Sequence, residues 1–305
     1  MTGIAEQEAI VLAGLGKQFD ALTALQDLDA RINYGQLTGL VGPDGAGKTT
    51  LLRILTGLMT PGTGSAMVAG LDIRRDRERI PTVTGYMPQR FGLYEDLSVI
   101  ENMRLYARLR RLDLRKSAGL FDELLAFTRL EPFTARLAGK LSGGMKQKLG
   151  LACALMARPR ILLLDEPGVG VDPVSRQDLW RMVQSLTDDG MAVIWSTAYL
   201  DEAERCDRVL LLNAGRLVFQ GSPDRLTARL VGRSFRIEEV GSERRALLSR
   251  ALDLGSVSDG VIQGSAVRVV LREGHDSGQV RALAKSAGMP LSPVPARFED
   301  AFIDL

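Results

Sequence analysis

Histidine and cysteine are nearly missing from this 305-residue chain, which has one histidine, His275, and two cysteines, Cys153 and Cys206. Neither metal-ligand spacing nor the cysteine density of a disulfide scaffold is present, so no zinc site is expected and a reducing cytosol is the default compartment. Long apolar runs are absent as well. ILLL at 161–164 falls far short of the ~18 residues that span a bilayer, and no charged-then-apolar leader opens the chain. Any membrane role must therefore pass through a partner. Charge of one sign is lacking too: 39 Lys and Arg against 37 Asp and Glu leave a net charge of +2, too even for charge alone to suggest a nucleic-acid binder. What is there is 45% hydrophobic and 25% charged, the balance of a soluble globular protein. The length suits two domains, or one large domain carrying an insertion.

Residues 37–41 (LTGLV) read as a short buried strand, GPDGAGKTT as a loop and TLLRILTGL as a helix. A second buried strand, ILLL, ends in Asp165, and a third, AVIWST at 192–197, follows the helical pattern SRQDLWRMVQSL. Together they predict a sheet covered by helices, an α/β nucleotide-binding core. Between Gln89 and Pro159 the pattern turns helical. Ser98 with Glu101 three residues on forms a capping box for a helix through Leu109, and further helices are expected at 113–129 and 144–157. RVLLLNAGRLVF at 208–219 predicts a hairpin turning at Asn213, Ala214 and Gly215. Past residue 230 the order is strand (RSFRIEEV), helix (RRALLSRALDL), two strands (DGVIQG and AVRVVLRE), helix (SGQVRALAKSAG) and a last strand (LSPVPARF). That β-α-β-β-α-β order matches the ferredoxin-like unit. The expected boundaries are a nucleotide-binding domain over 1–222, with a helical part at 90–158, and an α+β accessory domain over 230–305.

The chemistry concentrates in three places. Gly42, Pro43, Asp44, Gly45, Ala46, Gly47, Lys48 and Thr49, with Thr50 following, fit the phosphate-binding loop pattern, in which backbone N–H groups curl around phosphates. Lys48 is placed to reach the β- and γ-phosphates and Thr49 to offer its hydroxyl to Mg²⁺, while the next helix points its positive end at the anion. Asp44 is an acidic residue beside that anion site. At the end of ILLL, Asp165 is positioned for the Mg²⁺ shell and Glu166 to orient or deprotonate an attacking water. Gln89, after the strand-like VTGYM, is a third candidate for the metal shell. Third, Ser142, Gly143 and Gly144 of LSGGMKQKL leave a helix N-terminus free of bulky side chains, a geometry suited to a phosphate.

With these motifs the chain resembles the ATP-binding cassette (ABC) family of transporter ATPases over about residues 10–222. The resemblance implies a P-loop NTPase cassette with a RecA-like core and helical insertion, ATP and Mg²⁺ as cofactors, and ATPase activity. It also implies that two cassettes close head to tail, so that Ser142, Gly143, Gly144 and Met145 act on ATP held by the partner cassette. The family stacks an aromatic residue on adenine, for which Phe19 is the candidate; a core position is the alternative reading. GVGVDP at 168–173 resembles the family's loop across the cassette interface, with Asp172 in its acidic position. FGLYEDLSVIENMRLYARL and the closing RFEDAFIDL resemble cassettes that dock on membrane permease subunits of bacterial drug exporters. The overall pattern resembles the first half of tandem-cassette subunits, so the second cassette is expected as a continuation of the polypeptide, a separate subunit or a second copy. The implied location is cytoplasmic, peripheral on the inner face of the plasma membrane. Neither the basic linker nor the coiled-coil arms of ribosome- or DNA-acting relatives is present, so no nucleic-acid partner is expected.

One position departs from the family. Ala198 in STAYLDEAE stands where members carry a histidine that bonds the γ-phosphate and helps place water. Two functions follow for testing: an exporter ATPase whose own site is weakened, or a cassette that mainly holds ATP while its signature turn completes the partner's site. His275, the remaining candidate imidazole, reads as a solvated surface side chain.

Overall fold

A computed structural model of the chain describes residues 8–90, 92–114, 117–238, 240 and 242–304. Outside the described residues lie Phe91 of the segment after Gln89, Arg115 and Lys116 of the helix expected from 113, Glu239 of the strand expected to Val240, and Leu305. The chain divides into two compact units between Gln220 and Gly221.

In chain order the strands of the first unit are β1 (Glu8–Phe19), β2 (Leu22–Asn33), β3 (Leu37–Val41), β4 (Thr63–Val68), β5 (Leu71–Asp72), β6 (Thr84–Met87), β7 (Ile161–Asp165), β8 (Ala192–Thr197), β9 (Arg208–Asn213) and β10 (Arg216–Gly221). Its helices are α1 (Lys48–Leu55), α2 (Ile80–Val83), α3 (Val99–Leu109), α4 (Ala118–Thr128), α5 (Gly143–Leu155), α6 (Pro173–Asp188) and α7 (Leu200–Ala203). The central sheet has the order β10-β9-β3-β8-β7-β6, with parallel pairing from β9 across to β6. Residues of both faces are buried, Ile161, Leu163 and Ile194 on one side and Leu162, Leu164 and Trp195 on the other. That is why these strands read as unbroken apolar runs rather than alternating ones. A single apolar core joins Leu40, Leu163 and Ile194 of this sheet to Leu51, Leu52 and Leu55 of α1 and to Ile10, Leu15, Leu28 and Ile32 of a second, antiparallel sheet.

That second sheet, ordered β2-β1-β4-β5, has no counterpart in the sequence reading, which found no strand before Leu37. The cause is a bulge. Leu25 and Leu28 are both buried although three residues apart, alternation through Ala30 and Ile32 begins only afterwards, and Asp27 between them takes a left-handed φ of 51°. The pairing with β1 slips at this point, between Leu15 and Lys17. A bulge of this kind breaks the period of two that marks a strand in sequence.

Between β6 and β7 the described residues form only helices and tight turns, with one isolated bridge between Ser98 and Leu137. Ser98 caps α3 reciprocally: its N–H donates to Glu101 Oε2 (2.8 Å) and its Oγ accepts from the Glu101 amide (3.4 Å). α4 begins at Ala118 instead of 113, and α5 runs from Gly143 to Leu155. The β9–β10 turn has Ala214 at φ 45° and Gly215 at φ 76°, the two successive left-handed residues of a tight hairpin.

The second unit comprises α8 (Pro223–Thr227), β11 (Ser234–Ile237), α9 (Arg244–Leu252), β12 (Val257–Gln263), β13 (Ala266–Leu271), α10 (Gly278–Ser286), β14 (Leu291–Pro293) and α11 (Phe298–Ile303). Its antiparallel sheet is ordered β12-β13-β11-β14, so β13 splits the pair β11 and β12 that α9 connects, the ferredoxin-like arrangement. The last strand is a correction to LSPVPARF. Only Leu291–Pro293 pairs; the Val294 amide still donates to Ser234 O (3.0 Å), but Pro295 cannot donate to a ladder, and Phe298 opens a helix instead. No helix among the described residues is long and apolar enough to cross a membrane.

Candidate functional site

Parallel pairing brings the carboxyl ends of β3, β6, β7 and β8 to one edge of the central sheet, where α/β folds hold their ligands. Register fixes the neighbours: Val41 pairs with Thr197 and Asp165 with Ser196. Four loops therefore meet there, carrying Gly42–Thr49, Gln89, Glu166 and Ala198.

The loop after β3 shows why its glycines are glycines. A Cβ on Gly42 would sit 2.3 Å from Leu212 O, and one on Gly47, itself at φ 105°, would sit 2.5 Å from Ala24 O. Gly45, at φ 80°, faces open space. Pro43 O accepts the Ala46 amide (3.1 Å), closing the turn. Lys48 is 4% exposed, and its Nζ donates to Gly42 O (2.8 Å) and Pro43 O (3.1 Å). It also pairs with Glu166 Oε1 at 3.2 Å. The first-turn amides of α1 have no acceptors within the helix. A buried ammonium beside such amides is a cradle for an anion, and the residues fit a polyphosphate.

Asp165, 1% exposed, ends β7. Its Oδ1 accepts from Thr49 Oγ1 (3.1 Å) and Ser196 Oγ (2.9 Å), and its Oδ2 accepts from Tyr86 OH (3.2 Å). Burial, followed by the Asp165 charge, raises the Tyr86 phenol to about 12, so it stays a donor at neutral pH. Glu166 has a left-handed φ of 52°, a strained conformation for a non-glycine residue that clusters at functional sites. Three contacts hold it: its N–H donates to Ser196 Oγ (3.0 Å), its Oε2 accepts from Gln89 Nε2 (2.7 Å), and its Oε1 faces Lys48. Thr49, Asp165 and Gln89 thus present hard oxygen donors, with one carboxylate. This suits Mg²⁺, which is commonly held by one or two carboxylates together with substrate phosphates. Among the described residues no cluster of three or more His, Cys, Asp and Glu offers a soft or carboxylate-rich alternative.

A cavity of about 370 Å³ opens over these groups. Phe19, Asp44, Gly45, Gly47, Lys48, Thr49, Thr50, Gln89 and Glu166 line it, as do Leu22, Thr23 and Ala24, the first residues of β2 after the β1–β2 turn. Phe19 is 39% exposed at its rim, with Lys17 Nζ 5.2 Å from the ring centroid, so it is no core residue. Tyr86, Ser196 and the start of β2 were not singled out from sequence. Ser196 was readable in principle, because parallel pairing of ILLLD with AVIWST puts it opposite Asp165.

The signature residues lie elsewhere in the unit and do not line this cavity. Ser142 caps α5, its Oγ accepting the Met145 amide at 3.3 Å. A Cβ on Gly144 would fall 2.3 Å from Ser175 of α6, and one on Gly143 would fall 3.0 Å from Gly170 O. The turn is therefore packed against the loop that carries Asp172. Asp172 caps α6 through the Ser175 amide (2.9 Å). That backbone bond, followed by the Ser175 hydroxyl, holds its carboxyl below the usual range. Ala198 is exposed immediately after β8 and offers only a methyl group.

The family model described as ABC transporter matches residues 25–169. The chain is 54% identical over 301 residues to the probable multidrug ABC transporter ATP-binding protein YbhF of Escherichia coli, covering 97% of this chain and 52% of that protein. It thus spans about half the length of that relative. It is 34% identical over 282 residues to the Nod factor export ATP-binding protein I of Cupriavidus metallidurans, covering 92% of this chain and 91% of the relative. Among solved structures, an ATP binding subunit of an ABC transporter superposes with a TM-score of 0.65 at 29% identity, covering 72% of this chain and 92% of that one. The P-loop geometry, the parallel sheet and these likenesses agree: the chain belongs to the ABC transporter family and carries its P-loop nucleotide-binding cassette fold.

Proposed function

We propose that the chain powers a bacterial exporter through a separate membrane permease, and that its own ATP site turns over slowly. The relatives' names support this reading: a probable multidrug ABC transporter for YbhF and Nod factor export for the Cupriavidus protein. In this reading Lys48 and the loop from Gly42 to Thr50 hold the phosphates of ATP, and Phe19 stacks on the base. Thr49, Asp165 and Gln89 hold Mg²⁺, and Glu166 orients the attacking water. A second cassette closes over the site and the cassette lies against the cytoplasmic face of the membrane. The cassette proper runs to about Ser222, with an accessory domain from about Leu230.

The observation that carries the slow site is Ala198. Lys48, Thr49, Gln89, Asp165, Glu166 and Ser196 are joined by hydrogen bonds and an ion pair at the sheet edge, while the residue after β8, beside the phosphate loop, carries a methyl. Alanine leaves phosphate binding to Lys48 and the loop amides but supplies no hydrogen bond to the transferring group. A second reading rests on the same residue together with the well-formed Ser142 cap: the cassette holds ATP as a clamp, and its signature turn serves the partner's site.

In the assembled complex, Ser142→Arg is expected to lower total ATP turnover at least about tenfold more than Glu166→Gln does, because Ser142 acts on the faster site. Equal or reversed losses, measured as steady-state phosphate release, would count against the asymmetry. Co-purification with a multi-span membrane protein tests the partner, and recovery with ribosomes instead would overturn export.

A further inference from the structure

Glu202, the third residue of α7, is a carboxylate only 2% exposed, and neither the phosphate loop nor the signature turn uses it. Its Oε2 accepts a hydrogen bond from Trp195 Nε1 of β8 at 2.9 Å. Its Oε1 has no hydrogen-bond donor and lies 3.9 Å from Arg176 Nε of α6, itself without a hydrogen-bond acceptor. On its remaining side is Gly168: a Cβ built there would sit 2.2 Å from Oε1. The Arg176 guanidinium also lies 5.6 Å from the ring centre of Tyr199, the residue after Ala198. One buried charge therefore touches β8, α6 and the middle of the loop that runs from Glu166 to Asp172.

A buried carboxylate with one undonated oxygen carries a desolvation penalty that a single hydrogen bond from Trp195 does not offset. Packing gives little reason for a charge there. Position gives one. Glu166 stands two residues before Gly168 and Asp172 four residues after it, and Gly170 between them takes a left-handed φ of 71° with open space beside it. Resting on the proposed ATPase role, we infer that Glu202 is a positioning residue. It props the Gly168 loop against the segment after Ala198, and so sets where Glu166 and Asp172 stand when nucleotide is bound. Arg176, poised just beyond hydrogen-bond distance, is the group that closes on Oε1 as the loop shifts.

The chain supplies its own reporter. Trp180 and Trp195 are its two tryptophans, with ring centroids 4.6 Å apart, and Trp195 is the one bonded to Glu202. In a Trp180→Phe background, adding ATP and Mg²⁺ to the full chain is expected to change Trp195 emission, and Glu202→Gln to remove that change. The same Glu202→Gln variant should lose about tenfold in kcat with KM and ATP affinity within about twofold, the loss expected when an interaction made only in the transition state is disturbed. Gly168→Ala, which leaves the buried carboxylate untouched but drives a methyl into it, should lower kcat similarly and serves if Glu202→Gln fails to fold. Variants that keep wild-type kcat and a wild-type fluorescence response, or whose only change is a lower Tm, overturn the positioning role. Wild-type protein that binds no ATP overturns the ATPase reading itself, a separate outcome read in the same titration.

Discussion

Ala198→His is expected to raise ATP hydrolysis at this cassette's own site by about 10²-fold, with ATP affinity nearly unchanged. The magnitude is that of one preorganised donor to developing charge, typically 10²–10³ in kcat. The geometry favours a gain rather than a disruption. Ala198 is exposed, so an imidazole displaces no packed neighbour. Its backbone is anchored on both sides, by Thr197 O accepting the Gly42 amide (3.3 Å) and by Thr197 Oγ1 accepting the Tyr199 amide (2.9 Å). The strand end that would carry the imidazole is thus tied directly to the phosphate loop. Glu166, Gln89 and Lys48 already contact one another, so the added group completes a site whose other parts stand in place. Single-turnover hydrolysis by wild type and variant, with nucleotide affinity measured in parallel, decides it. Robust wild-type turnover that the substitution leaves unchanged would remove both the slow-site proposal and the clamp reading. Such a result would leave the water to Glu166 and Gln89 alone.

The parts of this site that were legible in sequence are those where one local rule dominates. Apolar runs at 37–41 and 161–164 announced strands because a parallel sheet buries both faces, and the Ser98–Glu101 spacing announced a helix start because capping is a contact within one turn. The glycine loop and Asp165 were legible for the same reason. What escaped depends on partners distant along the chain. The bulge at Asp27 hid β2, and with it the first residues of that strand, Leu22 to Ala24, which wall the cavity. Tyr86 is 79 residues from Asp165 and Ser196 is 31, so their hydroxyls become ligands of the carboxylate only through sheet register. The left-handed backbone of Glu166 had no signal either, since glutamate is not a residue that favours φ above zero. In the second unit the order of elements was readable, yet in LSPVPARF the alternation of a strand and the prolines that cut it short give opposite signals, and Pro295 ends the pairing.

Arg268→Ala is expected to destabilise the second unit by about 3–5 kcal/mol, because it leaves a buried carboxylate without its partner. Arg268 on β13 and Asp300 on α11 are each 4% exposed. Arg268 Nε donates to Asp300 Oδ2 at 2.9 Å, and its Nη2 donates to both Asp300 and the Pro295 carbonyl. Asp300 Oδ2 also accepts the Arg297 amide at 2.8 Å, so the same carboxylate starts the helix and pins it to the sheet. A second pair, Arg233 with Asp304, fastens the far end of α11. A unit of this size is worth about 4–13 kcal/mol in total at the usual stability per residue, so losing one buried partner approaches global unfolding. Removing both charges is a different matter. Arg268→Met combined with Asp300→Leu deletes the desolvation penalty along with the attraction, and should recover most of the loss. Hydrogen exchange at the Val267 and Val269 amides of β13 separates this unit from the cassette in the intact chain. A single Arg268→Ala variant within about 1 kcal/mol of wild type at those amides would mean that α11 is held by Phe298 and Ala301 packing rather than by charge.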